Sequence, residues 1–226
     1  MELIVKIVVI IVISYLIGSF PTALIISKSF FGFDIRDKGS GNMGSTNTFR
    51  ILGWKWGIIV QIVDILKGLI PVILFSNIFS HNIVFTYTTI DDSIVIVKLI
   101  AGVASICGHI WTIFAKFKGG KGINTALGAI IAIAPIDLIF AIIAFALILF
   151  TTGYVSLGSI TGSAIIPLSL FIRSNVLGVE INGYDILIYF FIVIAGLLIF
   201  THRKNIVRLL NGTENRFEKL MLFRKK

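Results

Sequence analysis

Residues 123–152 read INTALGAIIAIAPIDLIFAIIAFALILFTT, and the division of these thirty positions decides the fold. An α-helix rises about 1.5 Å per residue, and the hydrocarbon core of a bilayer is about 30 Å thick. The segment therefore makes either one long tilted helix or two shorter ones. Pro135 and Asp137 stand near its middle. A single span would hold a helix-breaking ring and a carboxylate at the costliest depth. A bent hairpin of two short helices accounts for both residues. It also returns Tyr154-Val155-Ser156 to the side from which the segment set out.

Five full spans lie to either side, at 3–28, 54–76, 94–115, 155–173 and 184–201, with Pro71 expected to kink the second late in its course. Together with the hairpin they predict an all-α polytopic membrane protein of seven transmembrane helices. Seven spans place the N-terminus and the C-terminal tail on opposite sides; reading 123–152 as one span would give six and put both on the same side. Composition agrees with the membrane assignment. The chain has 226 residues, of which 57% are hydrophobic and 14% charged, and a mean hydropathy of +1.01, far from soluble-domain usage. Little length is left for a separate soluble part, so 1–226 reads as a single integral membrane domain. The first apolar stretch lacks a strongly basic start and a small-x-small cleavage site, and is too long for a signal peptide, so it counts as a span.

The net charge of +9 raises the question of nucleic acid, but its distribution answers no. Sixteen of the twenty Lys and Arg fall in three clusters between or after the spans: Lys28, Arg36, Lys38, Arg50 and Lys55; Lys116, Lys118 and Lys121; and the tail from Arg203 to Lys226. The connection at 77–93 has no Lys or Arg and carries Asp91 and Asp92. The positive-inside rule then sets the clusters and the tail in the cytoplasm, and that connection and the N-terminus outside a cell membrane. Basic flanks also attract anionic lipid headgroups, which accounts for much of the excess charge. Cys107 is the one cysteine, which excludes internal disulfides and fits a small buried apolar role. No cysteine, histidine or carboxylate group has metal-ligand spacing, so neither metal nor cofactor is expected.

Four stretches carry polar chemistry. Lys118-Gly119-Gly120-Lys121-Gly122 sits at a span end, where a membrane anchor would explain the lysines but not three glycines. Backbone N–H groups, two ammonium charges and the following helix N-terminus suit phosphate. It is not a nucleotide P-loop, because Gly122 follows Lys121 where a hydroxyl would hold magnesium. His109, on the span side of this loop, is open to either a buried structural or a catalytic reading. The second stretch, Gly39-Ser40-Gly41-Asn42-Met43-Gly44-Ser45-Thr46-Asn47, ends at Arg50 and offers turns, hydrogen-bonding groups and a bidentate phosphate grip. The third, Tyr154-Val155-Ser156-Leu157-Gly158-Ser159, could equally serve helix packing. In the last, His202, Asn205 and Arg208 recur every three residues and share a face on a continuing helix, with Glu214 placed to pair with a nearby base. Histidine can take a proton near neutral pH and asparagine can orient a substrate oxygen.

In this order, and with Gly18-Ser19-Phe20-Pro21 and Asp64 with Lys67-Gly68, these motifs resemble the bacterial acyl-phosphate:glycerol-3-phosphate acyltransferase family over nearly the whole chain. Two departures are visible. The family often has a proline after the Gly108-His109 that leads toward the glycine loop, where this chain reads Ile110-Trp111-Thr112, and the 77–93 connection looks longer than is typical. The resemblance implies a seven-span enzyme with its site on the cytoplasmic face, joining a long-chain acyl phosphate to sn-glycerol 3-phosphate in phospholipid synthesis. It carries the polar site onto Ser40, Arg50, a lysine of the glycine loop, Ser156, His202 and Asn205. Asn42 and Asn47 join the expected substrate contacts, as do Lys118, Gly119, Gly120, Lys121 and Gly122. The glycine loop is expected to hold the acyl phosphate, and Arg50, His202 and Asn205 the glycerol phosphate, with His202 or a phosphate oxygen taking the proton. The competing class is a transporter for a phosphorylated solute or lipid, for which Asp64, Lys67 and Asp137 would be the intramembrane charges. No internal repeat supports it. A membrane scaffold gives no reason for the phosphate-suited loops.

Overall fold

The computed structural model describes residues 2–79, 83, 85, 90–218, 221 and 222. Residues 80–82, 84 and 86–89 of the 77–93 connection, and Lys219, Arg224, Lys225 and Lys226 of the basic tail, lie outside the described residues. Every regular element among the described residues is helical. Two compact units divide the chain, Met1–Ile133 and Ala134–Lys226.

The first unit holds α1 (Glu2–Gly18), α2 (Thr22–Phe31), α3 (Ser45–Leu52), α4 (Trp54–Phe79), α5 (Ile90–Ile110) and α6 (Ile123–Ile133). The predicted first span is broken: Pro21 separates α1 from α2. The carbonyls freed by the break find buried donors. Lys67 Nζ donates to Phe20 O at 3.0 Å, and Thr112 Oγ1 donates to Ser19 O. Pro71, by contrast, lies inside α4, which continues to Phe79. Its ring removes the bond to Lys67 O, and the Ser105 hydroxyl donates to that carbonyl instead. α4 and α6 press together through Gly68 and Gly128. A Cβ on Gly68 would overlap Thr125 O, and one on Gly128 would overlap Ile65 O. Only hydrogen fits between these backbones, as in other close membrane helix contacts.

The second unit holds α7 (Pro135–Thr152), α8 (Val155–Phe171), α9 (Tyr184–Thr201) and α10 (Arg203–Leu210), with a π-helical turn Ile172–Val176 extending α8. Asp137 is paid for locally: Ser169 Oγ donates to Oδ1 at 2.6 Å and Arg173 Nη1 to Oδ2 at 2.7 Å.

The division of 123–152 follows the proline. α6 ends at Ile133, and Pro135 takes the first position of α7, where its missing N–H costs nothing. Only α6 is short. Among the described residues, six stretches are long and apolar enough to cross a membrane: Glu2–Phe31, Trp54–Phe79, Asp91–Ala115, Pro135–Thr152, Val155–Val176 and Tyr184–Thr201; α6 makes a seventh, shorter apolar helix. Eleven residues reach about 16 Å, roughly half the hydrocarbon thickness, and the last carbonyls of α6 need donors from outside the helix. Lys98 Nζ donates to Ala132 O at 3.2 Å and meets part of that demand.

The distribution of side chains suits lipid. Ile62, Ile70, Phe140, Ile143, Leu147 and Val193 are exposed, whereas Ser14, Asp64, Lys67, Thr125, Asp137 and Ser163 are buried. Apolar faces outward and polar groups inward are what a bilayer solvent requires.

Candidate active site

In the first unit, the stretch 39–50 is not one polar loop. It is a tight turn that closes into the amphipathic α3, with Gly44 as its N-cap. Asn47, 1% exposed, holds the turn shut. Its Oδ1 accepts Ser40 N–H at 2.8 Å, while Nδ2 donates to Ile35 O and Lys38 O at 3.2 and 3.0 Å. Asn42 closes an Asx turn by accepting Gly44 N–H at 2.8 Å. Both asparagines were expected to contact substrate; their bonds here are to the chain itself, because a glycine-rich turn has few other partners for its backbone. Ser40 and Arg50 are half-buried, Arg50 five residues beyond Ser45 on α3.

The glycine loop is likewise built inward. Gly119 N–H donates to Ile110 O and Gly120 N–H to His109 O, each at 3.0 Å, so these two amides cap the end of α5. The expectation that they face an anion is corrected: helix C-terminal carbonyls need donors, and the loop supplies them. The glycines are required by proximity. A Cβ on Gly119 would overlap His109 O, and one on Gly120 would overlap His109 Nε2. Just before them, Lys116 and Phe117 take left-handed φ values of 56° and 57°, which few non-glycine residues adopt. Phe117 N–H to Thr112 O at 2.9 Å and Lys118 N–H to Ala115 O at 3.2 Å hold this turn. Arg36 braces it from outside, donating through Nη1 to Ala115 O at 3.0 Å and to Lys118 O at 3.4 Å. Its Nε and Nη2 grip both oxygens of Asp34 at 2.9 and 2.7 Å, and these bonds hold the Asp34 carboxyl far below the ordinary carboxylate range.

What remains for phosphate is the opening of α6. Gly122, at φ +85°, leads into that helix, whose first internal bond is Ala126 N–H to Gly122 O. The amides of 123–125 therefore precede the hydrogen-bond ladder, beside half-buried Lys121 and exposed Lys118. Asn124 Nδ2 donates to Ser45 Oγ at 2.8 Å and ties the start of α6 to the start of α3. The starts of α3 and α6 are positive helix ends, and Lys118 and Lys121 precede the second of them. Ser45 and Asn124 are absent from the sequence expectations. The available signal was Asn124's place in the first turn of the helix after the loop.

In the second unit, a carboxylate organises the cluster. Glu214 Oε1 accepts from Ser156 Oγ at 2.9 Å and from Asn205 Nδ2 at 2.8 Å; its Oε2 accepts from Arg208 Nε at 2.7 Å. Burial acts to raise the Glu214 pKa, but the bonds from Arg208, Asn205 and Ser156 outweigh it, and the group lies below its ordinary value. The C-terminal segment that carries Glu214 is tied down beside α8: Phe217 N–H donates to Gly153 O at 2.9 Å, and the Arg216 guanidinium lies 4.6 Å from the Tyr154 ring centre. Pairing of Glu214 with a base agrees with expectation, and its gathering of Ser156 and Asn205 is new.

His202 does not sit on a continuing helix, since α9 ends at Thr201 and α10 begins at Arg203. The turn between them preserves the spacing, with Asn205 N–H bonded to His202 O at 2.7 Å. His202 is 2% exposed, and its Nδ1 lies 2.8 Å from Leu198 O. A carbonyl only accepts, so Nδ1 carries the proton and Nε2 of the neutral ring carries the lone pair. That tautomer is the one a general base needs.

These features define a polytopic helical membrane protein with one phosphate-suited cluster and one buried histidine–asparagine–carboxylate cluster. The glycerol-3-phosphate acyltransferase family matches residues 8–212, and the chain belongs to that family. The glycerol-3-phosphate acyltransferase of Chlorobium phaeobacteroides is 40% identical over 92% of this chain and 95% of its own. That of Chlorobaculum tepidum is 42% identical over 92% and 94%. Among solved structures, PlsY (YgiH), an integral membrane glycerol 3-phosphate acyltransferase, superposes in its glycerol 3-phosphate form with a TM-score of 0.78 and 37% identity. That match covers 93% of this chain and 95% of the other. Its lysophosphatidic acid form gives 0.75 and 36% over the same shares.

Proposed function

We propose that the chain is a glycerol-3-phosphate acyltransferase that uses acyl phosphate as donor and releases 1-acyl-glycerol 3-phosphate and inorganic phosphate. The observation that supports the acceptor most is the match to the glycerol 3-phosphate form of PlsY over nearly the full length. For the donor, the support is chemical. Phosphate leaves readily from an acyl carbonyl, so no covalent enzyme intermediate is needed, and positioning with charge stabilisation can supply most of the acceleration.

In this reading the 1-hydroxyl oxygen of glycerol 3-phosphate attacks the acyl carbon, the bond from that carbon to the phosphate oxygen breaks, and the electron pair leaves with phosphate. The hydroxyl proton passes to His202 Nε2. Lys118, Lys121 and the amides opening α6 hold the acyl phosphate; Arg50 holds the glycerol phosphate, which Asn205 helps to orient. Ser40 and Ser156 shape the polar surroundings, while Asn42 and Asn47 set the turn that carries Ser40. Residues 1–226 act as a single acyltransferase domain in a cell membrane, with the basic clusters and the tail cytoplasmic and the N-terminus outside. The acyl chain reaches the site from the lipid phase.

Purified protein in detergent, given acyl phosphate and glycerol 3-phosphate, should form lysophosphatidate and phosphate in equal amounts. Activity with a thioester donor and none with acyl phosphate would overturn the donor assignment. Cysteines placed singly at exposed Lys38 and Lys204, in a Cys107→Ala background, should react with an impermeant thiol reagent from the same side. Reaction from opposite faces would break the shared-site reading.

A further inference from the structure

Three ionisable side chains lie deep in the first unit and take no part in the proposed chemistry. Asp64 and Lys67 on α4 and His109 on α5 are 2%, 5% and 4% exposed. Lys67 Nζ stands 2.7 Å from Asp64 Oδ1, and His109 Nδ1 stands 3.8 Å from the same oxygen. Charges at this depth are costly, and replacing a buried ion pair by apolar groups is often neutral or stabilising. The pair is also incompletely satisfied: Asp64 Oδ2, His109 Nδ1 and Thr22 Oγ1 make no hydrogen bond. Such a cluster calls for a role beyond stability.

Its position supplies one. The far side of the His109 ring, at Nε2, presses on Gly120 so closely that no Cβ would fit, while the backbone of the same residue accepts Gly120 N–H. The loop thus meets His109 twice. Behind the ring, 3.8 Å from Nδ1, stands the Asp64 carboxylate, which is held in turn by Lys67. Lys67 is itself anchored on Phe20 O, at the break between α1 and α2.

We propose that Asp64, Lys67 and His109 form a positioning network that sets the loop 117–122, and with it Lys121 and the opening amides of α6, for phosphate. None of the three touches substrate; they act through Gly120. The inference rests on the reading of this loop as a phosphate grip.

The test separates positioning from fold stability by removing both charges. Asp64→Asn and Lys67→Met alone each strand a buried group and should lower the melting temperature. The double variant D64N/K67M removes that penalty and should melt near wild type. Its KM for acyl phosphate should still rise about tenfold with kcat within about twofold, and the amides of Gly119 and Gly120 should exchange faster with deuterium. A double variant with wild-type KM for both substrates and wild-type exchange would overturn the proposal. Should the double variant melt low, His109→Gln decides: it keeps the backbone cap but removes the ring from Gly120. It should raise KM and exchange in the same way, and unchanged values would be equally fatal. Deuterium exchange needs no turnover, so it judges the network apart from the reaction; wild-type protein inactive on acyl phosphate would instead sink the donor assignment.

Discussion

The two polar clusters solve the same problem by opposite means. In the first unit, a glycine loop and a capped turn are built from backbone, pressed against neighbours until no Cβ fits, so its geometry is set by exclusion of volume. In the second, Ser156, Asn205 and Arg208 converge on the Glu214 carboxylate, so its geometry is set by charge. The lesson is one of vulnerability: the first cluster should fail when atoms are added, the second when charge is removed.

The largest effect is expected at His202. His202→Ala removes the lone pair that the Leu198 bond leaves on Nε2, and general-base loss costs about 10²–10⁴-fold, here chiefly in kcat. An unaltered rate at saturating substrates would assign the proton to a phosphate oxygen. Next comes Gly120→Ala. Its methyl would overlap His109 Nε2, and a displaced loop should cost about 10²-fold in kcat/KM. If steady-state kinetics were unchanged, the volume account of the first cluster would fail.

Arg50→Lys keeps the charge but loses the planar fork, and should reduce kcat/KM for glycerol phosphate by about tenfold with little change for the donor. Equal losses for both substrates would show that Arg50 does not discriminate between the two phosphates.

Glu214→Gln removes the charge that organises the second cluster and should lower the melting temperature near neutral pH, and it sharpens the comparison through acid. The folded pKa of Glu214 lies below its ordinary value of 4.5, so its contribution to stability is present above that value and is lost as pH falls through the folded one. Wild type should therefore lose more melting temperature than Glu214→Gln between neutral pH and about pH 4. Gly120→Ala should show the wild-type slope. Parallel curves for wild type and Glu214→Gln would remove the carboxylate from its organising role.

Much of this was open to inspection in the chain alone. Hydropathy marks the spans because a bilayer demands about twenty apolar residues per crossing. Pro135 with Asp137 divides 123–152 because a missing N–H and a carboxylate together are costly within one span, and the glycines, Arg50, His202 and Asn205 stand out because a plain membrane anchor does not call for them. These are local or compositional constraints, written wherever the residue occurs. Partnership is different, since it joins residues far apart in the chain. That Gly119 and Gly120 turn their amides toward α5, that Asn47 closes a turn, that Asn124 reaches Ser45 and that Glu214 collects Ser156 and Asn205 all depend on which unsatisfied donor meets which acceptor once the helices have packed. No spacing in the chain records those meetings, because each joins groups that only the packing of separate segments brings within reach.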